Sequence, residues 1–242
     1  MDGAEEKVAL LAGASGLAGG YALAALLDAT DIRRVVAITR RPLGSEHPRL
    51  ANRIVQFGQL EMQLKGVSCD VALCALGTTI RQAGSQERFR AVDLDCVLAF
   101  ARTAQAGGAQ RFVVISSAGA DPASRNFYLR TKGELEQRLV DMNFPALDIL
   151  QPSLLLGSRG QVRALELLAR AVVPLLNPLL RGRYLPYRAV AARAVGEAML
   201  GAVRSGRRGL QRYTYEGIQS LARLGGSRRR LPSPPRSPAG AR

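Results

Sequence analysis

Three side chains in the middle of the chain are of types that can move a proton to or from a carbonyl oxygen. Tyr128 and Lys132 are four residues apart in Tyr128-Leu129-Arg130-Thr131-Lys132, so on a helix they share one face. A free tyrosine has a pKa of about 10, and a neighbouring ammonium group, or the positive nicotinamide of an oxidised cofactor, favours its phenolate form. Lys132 is also placed to hold the nicotinamide ribose. Ser117, at the end of an apolar run, is suited to hydrogen-bond and orient a substrate oxygen. This set indicates direct hydride transfer between a nicotinamide cofactor and a small molecule, which needs no metal.

A glycine-rich turn near the N-terminus supplies a candidate cofactor site. The segment Gly13-Ala14-Ser15-Gly16-Leu17-Ala18-Gly19 has the pattern G-x-x-G-x-x-G and lies between a predicted strand and a predicted helix. Glycine permits a tight turn and the close approach of a pyrophosphate, and the following helix N-terminus offers free N–H groups. The strand–turn–helix context favours dinucleotide binding by Gly13, Ser15, Gly16, Leu17 and Gly19. The alternative is a tight turn with no ligand.

The residues after the second predicted strand discriminate between nicotinamide cofactors. An acidic residue there would accept a hydrogen bond from the ribose 2′-hydroxyl of NAD, but this chain has Thr39-Arg40-Arg41. Guanidinium groups cannot accept that bond, whereas they can hold a 2′-phosphate by charge-assisted contacts. The sequence therefore predicts NADP(H) as cofactor, held by Arg40 and Arg41. The alternative is that both arginines are solvated surface.

Strands alternate with helices along most of the chain. Short apolar runs at residues 7–12, 35–39, 54–57, 70–76, 112–117 and 146–150 predict buried strands. Helices are predicted at residues 17–29, 85–106, 127–142 and 189–203, with a short last segment at 218–224. This order predicts an α/β, Rossmann-like, doubly wound parallel sheet with helices on both faces. Such sheets bind ligands at the carboxyl ends of their strands, where the candidate residues fall.

The domain organisation follows from where this alternation stops. Residues 1–224 are predicted to form a single NAD(P)-binding domain, with a substrate or cap region at 153–190 in which Pro174 and Pro178 interrupt an apolar run. That run suits a cap over the active site or a subunit contact, and docking on a membrane surface is the alternative. Residues 225–242 are rich in Gly, Ser, Pro and Arg and are predicted to be a disordered tail.

Composition excludes several functional classes. The net charge is +15, from 34 basic and 19 acidic residues, but aromatic residues are only 5% and the arginines are scattered, so no specific nucleic-acid binding is expected. One histidine and three cysteines without metal-ligand spacing predict no metal site, and buried thiols in a reducing cytoplasm. Residues 8–27 are uncharged, but four glycines and an acidic flank favour strand, turn and helix over a membrane span.

Four sequence segments carry a resemblance to a known family. They are Ser116-Ser117-Ala118-Gly119-Ala120-Asp121, Asn126-Phe127-Tyr128-Leu129, Lys132-Gly133-Glu134 and Gln151-Pro152-Ser153-Leu154-Leu155. Through them the chain resembles the atypical or extended branch of the short-chain dehydrogenase/reductase superfamily, in particular the Tat-interacting-protein-type oxidoreductases, over roughly residues 7–222.

The resemblance implies site residues as well as a fold. It implies a Rossmann-like NADP-binding domain, a small C-terminal substrate region, and Ser117, Tyr128 and Lys132 as the catalytic set. It also implies further residues along the cofactor, namely Leu60, Gly77 with Thr78 beside it, Pro152 and Ser153. Ser117 and Tyr128 are only 11 residues apart, a shorter loop than most extended members have, so the substrate pocket is expected to be built differently.

Three functions remain open on these grounds. The first is an NADPH-dependent oxidoreductase acting on a small-molecule carbonyl or alcohol. The second is an NADP(H)-binding regulatory or assembly protein with little turnover, since the family includes such proteins. The third is a sugar-nucleotide epimerase or dehydratase. Oligomeric state and substrate identity are left open. Asp93 and Asp95 are expected to be surface or helix-end charges, with an acid/base pair as the alternative.

Overall fold

The computed structural model describes residues 6–156 and 182–226 and is built on a seven-stranded parallel sheet. The strand order is β3-β2-β1-β4-β5-β6-β9. Its strands are β1 (Lys7–Ala12), β2 (Ile32–Thr39), β3 (Leu50–Ile54), β4 (Val71–Cys74), β5 (Arg111–Ile115), β6 (Ala146–Leu150) and β9 (Gly209–Tyr213). Two further strands, β7 (Leu155–Leu156) and β8 (Val190–Ala191), form a separate small ladder. The order is that of a Rossmann-like sheet, which confirms the predicted fold class.

Helices cover both faces of the sheet. They are α1 (Leu17–Asp28), α2 (Leu60–Gln63), α3 (Ile80–Ala83), α4 (Gln86–Arg90), α5 (Cys96–Ala106), α6 (Phe127–Asp141), α7 (Ala192–Arg204) and α8 (Tyr215–Gly225). One core joins α1, α7 and α8 to one face of the sheet, and a second core joins α2, α5 and α6 to the other. Because the central strands are buried on both faces, they read in the sequence as unbroken apolar runs. Within the described parts of the chain, no helix is long and apolar enough to cross a membrane.

The helices α1, α7 and α8 pack closely together on one face of the sheet. A Cβ on Gly196 would lie 2.6 Å from the backbone nitrogen of Ala22 in α1, and one on Gly201 would overlap the backbone of Leu221 in α8. Glycine at these positions lets the three helices approach at backbone distance. The approach holds α1, and with it the glycine turn before α1, against the sheet.

One predicted strand is misplaced, one predicted helix contains a π-helical turn, and one strand was not predicted. The third strand is at Leu50–Ile54 and not at residues 54–57, because the edge strand carries Asn52 and Arg53 and so shows no apolar run. The helix predicted over residues 85–106 consists of α4 and α5 joined by a π-helical turn, Ala91–Asp95. The strand β9 escaped prediction because Gly-Leu-Gln-Arg-Tyr is largely polar.

The predicted cap and tail fall largely outside the described residues. Residues 157–181 of the cap region and 227–242 of the tail are not described. The described part of the cap region includes a 3-10 turn, Gly182–Tyr187. At the start of the predicted tail, α8 continues to Gly225, one residue beyond the domain end expected at residue 224.

Candidate functional site

The glycine turn forms a tight cradle between β1 and α1. Gly13 has a φ of +84°, a left-handed conformation that favours glycine, and its carbonyl accepts a hydrogen bond from Gly16 N at 2.7 Å. A Cβ on Gly19 would overlap the Gly13 carbonyl oxygen, and one on Gly13 would overlap the carbonyl of Ala75 at the end of β4. All three glycines are therefore required by backbone packing, and the turn is pressed against the end of β4.

The N-terminus of α1 lies beside the end of β4, and its N-cap residue is a glycine, which has no side chain to cap the first N–H groups. Gly16 is the N-cap residue in an extended conformation and makes no side-chain cap. The first N–H groups of a helix lack intrahelical partners and attract anions. The donor set at this turn therefore fits a phosphate-bearing ligand.

The end of β2 presents two exposed arginines beside a buried threonine. Thr39 is 3% exposed, and its Oγ1 accepts a hydrogen bond from Asn52 Nδ2 on β3 at 2.7 Å. The Asn52 Oδ1 accepts from Leu43 N at 2.8 Å, which ties the loop after β2 to the edge strand. Arg40 and Arg41 begin that loop and are exposed. Burial raises the pKa of the Cys96 thiol at the start of α5, and the positive charge of Arg40 opposes that rise only in part.

A buried ion pair joins the end of β4 to α6. Asp93 is 1% exposed, and its Oδ1 lies 2.6 Å from Nζ of Lys132, whose side chain is 5% exposed. The other carboxylate oxygen of Asp93 accepts a hydrogen bond from the backbone N–H of Thr78 at 2.8 Å. Gly77 is beside this contact, since a Cβ there would lie 3.4 Å from Asp93 Oδ1. One carboxylate therefore holds both the loop after β4 and the lysine proposed to be catalytic.

The prediction that Asp93 is a surface charge is wrong. Asp93 lies in the π-helical turn between α4 and α5, an irregularity that occurs frequently at functional sites. Phe89, Asp93 and Val97 are spaced four residues apart, and both flanking residues are fully buried. That spacing would have placed Asp93 on the buried face of the helix. Asp95, the other acid in the turn, is exposed as predicted.

Aromatic packing positions Tyr128 on α6. The ring of the fully buried Phe89 contacts the rings of Tyr128 and Phe127, with centroid distances of 5.6 and 5.7 Å. The helix starts at Asn126, whose side-chain oxygen accepts a hydrogen bond from Leu129 N at 3.2 Å. Tyr128 is partly exposed, and its ring packs against that of Phe89. Phe89 was missed at the sequence level, because only the fold shows what it contacts.

The loop between Ser117 and Tyr128 folds back onto α6. Ser117 is 7% exposed just after β5, and its Oγ lies 3.3 Å from the carbonyl oxygen of Ala118. A Cβ on Gly133 of α6 would overlap the backbone of Asp121, so loop and helix are in direct contact. The ten residues between Ser117 and Tyr128 are therefore packed against α6.

A second buried carboxylate, missed at the sequence level, ties four elements together below Ser117. Glu136 on α6 is 4% exposed and accepts hydrogen bonds from Ser116 Oγ at 2.6 Å and from Gln151 Nε2 at 2.9 Å. Arg212 of β9 completes the set with Nε 3.0 Å from Glu136 Oε2. The network fixes the ends of β5 and β6 relative to α6, the helix that carries Tyr128 and Lys132. A tertiary network of this kind leaves no local signal in the sequence.

The remaining candidate residues differ in how they are placed. Pro152 follows β6, and its carbonyl accepts from Ala118 N at 3.0 Å, whereas Ser153 Oγ donates to the carbonyl of Arg188 at 2.5 Å. Both lie at the carboxyl edge, near Ser117. Leu60 is 1% exposed and packs in the core with α5 and β2, so its side chain is not presented to solvent.

The three thiols are not all buried. Cys69 and Cys74 are buried, and burial raises the pKa of each to about 12. Cys96 is partly exposed, which corrects the expectation of three buried thiols, because it begins α5 directly after the π-helical turn. Among the residues that the structure describes, no cluster of three or more metal-ligating side chains occurs.

Comparison with known proteins places this site in context. No family model matches the chain. The chain is 37% identical to protein HTATIP2 of Rattus norvegicus over 170 residues, which are 69% of this chain and 70% of that protein. It is 33% identical to mitochondrial protein FMP52 of Lodderomyces elongisporus over 163 residues, which are 63% of this chain and 68% of the relative.

Solved structures with the same fold are more distant in sequence. The Bordetella bronchiseptica enzyme WbmH, in complex with NAD+, has a TM-score of 0.64 at 14% identity, covering 90% of this chain and 79% of that one. A UDP-N-acetylglucosamine 4-epimerase of Methanobrevibacter ruminantium has a TM-score of 0.62 at 15% identity, covering 87% and 77%. The chain therefore has the Rossmann-like fold of these nucleotide-binding enzymes. Within that fold class, the chain belongs to the family of HTATIP2 and FMP52.

Proposed function

We propose that this protein is an NADP(H)-dependent oxidoreductase that transfers hydride to or from a small-molecule carbonyl or alcohol. One observation carries the proposal: a continuous series of contacts joins the glycine turn to the catalytic helix. Gly13 packs on Ala75 at the end of β4, and three residues further the loop reaches Thr78, whose N–H donates a hydrogen bond to Asp93. Asp93 in turn holds Lys132 on the helix that carries Tyr128. The phosphate-binding and proton-transfer residues are thus set relative to one another before any ligand binds.

The residues that would hold the cofactor are those at the carboxyl edge. The N–H groups at the start of α1 would receive the pyrophosphate, and Arg40 with Arg41 would receive a 2′-phosphate. Gly77 and Thr78 lie on the loop next to Lys132. When bound, the cofactor supplies or accepts the hydride.

The chain's own side chains supply orientation and the proton. Ser117 would donate a hydrogen bond to the substrate oxygen, and Tyr128 would give a proton to that oxygen during reduction or take it during oxidation. An ammonium group has three donors, so Lys132 retains donors for a ribose hydroxyl while one contacts Asp93. Its charge favours the tyrosinate that proton transfer produces.

Substitution of Tyr128 tests the mechanism separately from cofactor binding. Tyr128→Phe should abolish NADPH oxidation over a panel of aldehydes and ketones while NADPH affinity stays within twofold of wild type, because the ring packing on Phe89 is kept. The matched control is Tyr21→Phe. Tyr21 lies on α1 with its Cβ next to Gly196, and this variant should retain turnover. Turnover by Tyr128→Phe at the wild-type rate would refute the assigned role.

Substitution of Arg40 tests the cofactor preference. Hydrogen bonds to charged groups contribute about 1.5–3 kcal/mol, so Arg40→Asp should weaken NADPH binding about 10- to 100-fold and leave NADH binding nearly unchanged. Arg223→Asp on α8 is a control with the same change of charge. Equal effects of the two substitutions would assign Arg40 to solvated surface.

A cofactor-gated binding protein is a second candidate, favoured by the Asp93–Lys132 pair. Because the Lys132 ammonium group is already paired with the buried Asp93 carboxylate, the pair can hold α6 in place without any proton transfer, and binding without turnover is a consistent outcome. A protein of this kind would bind NADPH, oxidise none of the carbonyl panel, and capture a partner only with the cofactor present.

The epimerase or dehydratase hypothesis has a separate test. Solved structures of similar fold include UDP-sugar enzymes in complex with NAD. An enzyme of that type retains its nicotinamide through purification, so nucleotide released on denaturing the purified protein would favour it over the reductase. Cytoplasmic localisation stays a prediction, and the FMP52 relatives are mitochondrial by name.

A further inference from the structure

A second candidate ligand site lies on the sheet face near the edge strand β3. The connection from β3 to β4 contains only a 3-10 turn and the four-residue helix α2, so it covers little of this face. A cleft of about 540 Å³ remains over the amino-terminal part of β1 and β2, within the size range of small-molecule sites. Val8, Val36 and Val67 give it apolar surface.

Four arginines line this cleft. They are Arg33, Arg34, Arg49 and Arg53, and none of the described lining residues is acidic. Side chains at alternate positions of a strand lie on the same face of the sheet. Ile38 lies four residues after Arg34 on β2 and pairs with Arg53 on β3. Arg34 and Arg53 therefore share one face. Arg49 is held in place by hydrogen bonds to the carbonyls of Ala29 at 2.6 Å and Ile32 at 2.7 Å near the end of α1.

The other three guanidinium groups have no carboxylate partner in the described chain. Arg33, Arg34 and Arg53 are exposed and take part in none of the ion pairs among these residues. Seven arginines elsewhere do pair with carboxylates, at positions 90, 102, 111, 138, 193, 204 and 212. An accumulation of like charge around one concave surface costs electrostatic energy that an anionic ligand would relieve.

We propose that this arginine cleft binds a compact ligand carrying two or more phosphate groups. Guanidinium groups bind phosphate oxygens in pairs, and the apolar surface suits the non-phosphate part of such a ligand. The cleft is centred away from the glycine turn, since Arg34 lies near the start of β2, six residues or about 20 Å along the strand from Arg40. Its nearest point to Arg40 is Arg53, which pairs with Ile38 two residues before Arg40, so NADP+ must occupy the cofactor site when the cleft is tested. The same chemistry is offered by a free polyphosphate compound and by a polyphosphorylated lipid headgroup.

Calorimetric titration with inorganic tripolyphosphate tests the cleft directly. The full chain is saturated with NADP+ first, so that the proposed cofactor site is filled. Arg33→Gln/Arg34→Gln should weaken tripolyphosphate binding at least 10-fold, and Arg53→Gln should weaken it in the same direction. Arg208→Gln/Arg223→Gln removes the same two charges elsewhere and should change binding less than twofold. The tail is the same in all variants, so its arginines cannot produce a difference between them.

A second arm distinguishes the source of the phosphate groups. Vesicles of phosphatidylcholine with and without a polyphosphoinositide are tested for binding to the same proteins. Tripolyphosphate binding that depends on Arg33 and Arg34, without vesicle binding, supports a free ligand, and vesicle binding that tripolyphosphate competes away supports a headgroup. Absence of binding in both arms, or equal losses in the cleft and control double variants with unchanged thermal unfolding, would overturn the proposal.

Discussion

Removing the charge of Asp93 should destabilise the protein strongly, because it would leave the Lys132 ammonium group buried without a counter-charge. The two side chains are 1% and 5% exposed and 2.6 Å apart. Breaking a buried ion pair from one side costs about 3–5 kcal/mol. Asp93→Asn keeps an oxygen that can accept the Thr78 N–H bond, so the lower end, about 3 kcal/mol, is expected.

Urea unfolding followed by far-UV circular dichroism measures this loss, and the chain has no tryptophan to serve as a fluorescent probe. With a slope of about 3 kcal/mol/M, the unfolding midpoint of Asp93→Asn should fall by about 1 M. The matched control is Glu61→Gln, which breaks an ion pair of 2.7 Å to Arg102 whose side chains are 54% and 55% exposed. Exposed pairs contribute at most about 1 kcal/mol, so its midpoint should move by about 0.3 M or less.

The double variant Asp93→Asn/Lys132→Met isolates the charge interaction. Replacing both partners of a buried pair with neutral groups is often close to neutral, so the double variant should recover most of the stability that Asp93→Asn loses. Similar midpoint shifts for Asp93→Asn and Glu61→Gln, or additive losses in the double variant, would refute the account of a buried, coupled pair.

Three further predictions concern other parts of the chain. Gly19→Ala should lower the free energy of unfolding by about 2 kcal/mol or more, since its Cβ would overlap the Gly13 carbonyl, and urea unfolding with NADPH titration would show losses of both stability and binding. Hydrogen bonds from Arg204 hold the pKa of Asp31 below its usual range; the stability they add is therefore full above the unfolded-state pKa of about 4 and is lost as pH falls through the lower folded-state pKa. Asp31→Asn should thus cost up to about 1 kcal/mol at pH 7, a difference that shrinks as the pH falls below the unfolded-state pKa of about 4; a pH-independent difference would contradict the linkage. Of the three thiols, only Cys96 should react with an aromatic disulfide reagent in the native protein at pH 8, and Cys96→Ser should abolish that reaction.

The buried centre of the fold was predictable from the sequence because burial on both faces leaves an apolar run. The predicted strands at residues 7–12 and 146–150 coincide with β1 and β6. The edge strands could not be predicted in this way, because they are not buried on both faces. Asn52 and Arg53 interrupt β3, and Gln211 and Arg212 interrupt β9. The pattern of strands and helices alone was sufficient for the sheet type.

The candidate site was predictable where residue type and local spacing carry the chemistry. The glycine turn and the Tyr128–Lys132 spacing are local features of this kind. Asp93 was misassigned because its role depends on a π-helical turn and on a partner 39 residues away on α6. Glu136 was missed for the same reason, since its partners come from three other segments of the chain.

Titration of the purified full chain with NADPH and, in parallel, with NADH tests the central claim most directly. Fluorescence of the reduced nicotinamide reports binding. The account predicts saturable binding of NADPH that is at least about 10-fold tighter than binding of NADH, as expected for a 2′-phosphate held by guanidinium groups. Equal affinities would contradict the role of Arg40 and Arg41, and binding of neither cofactor would contradict the proposed function as a whole.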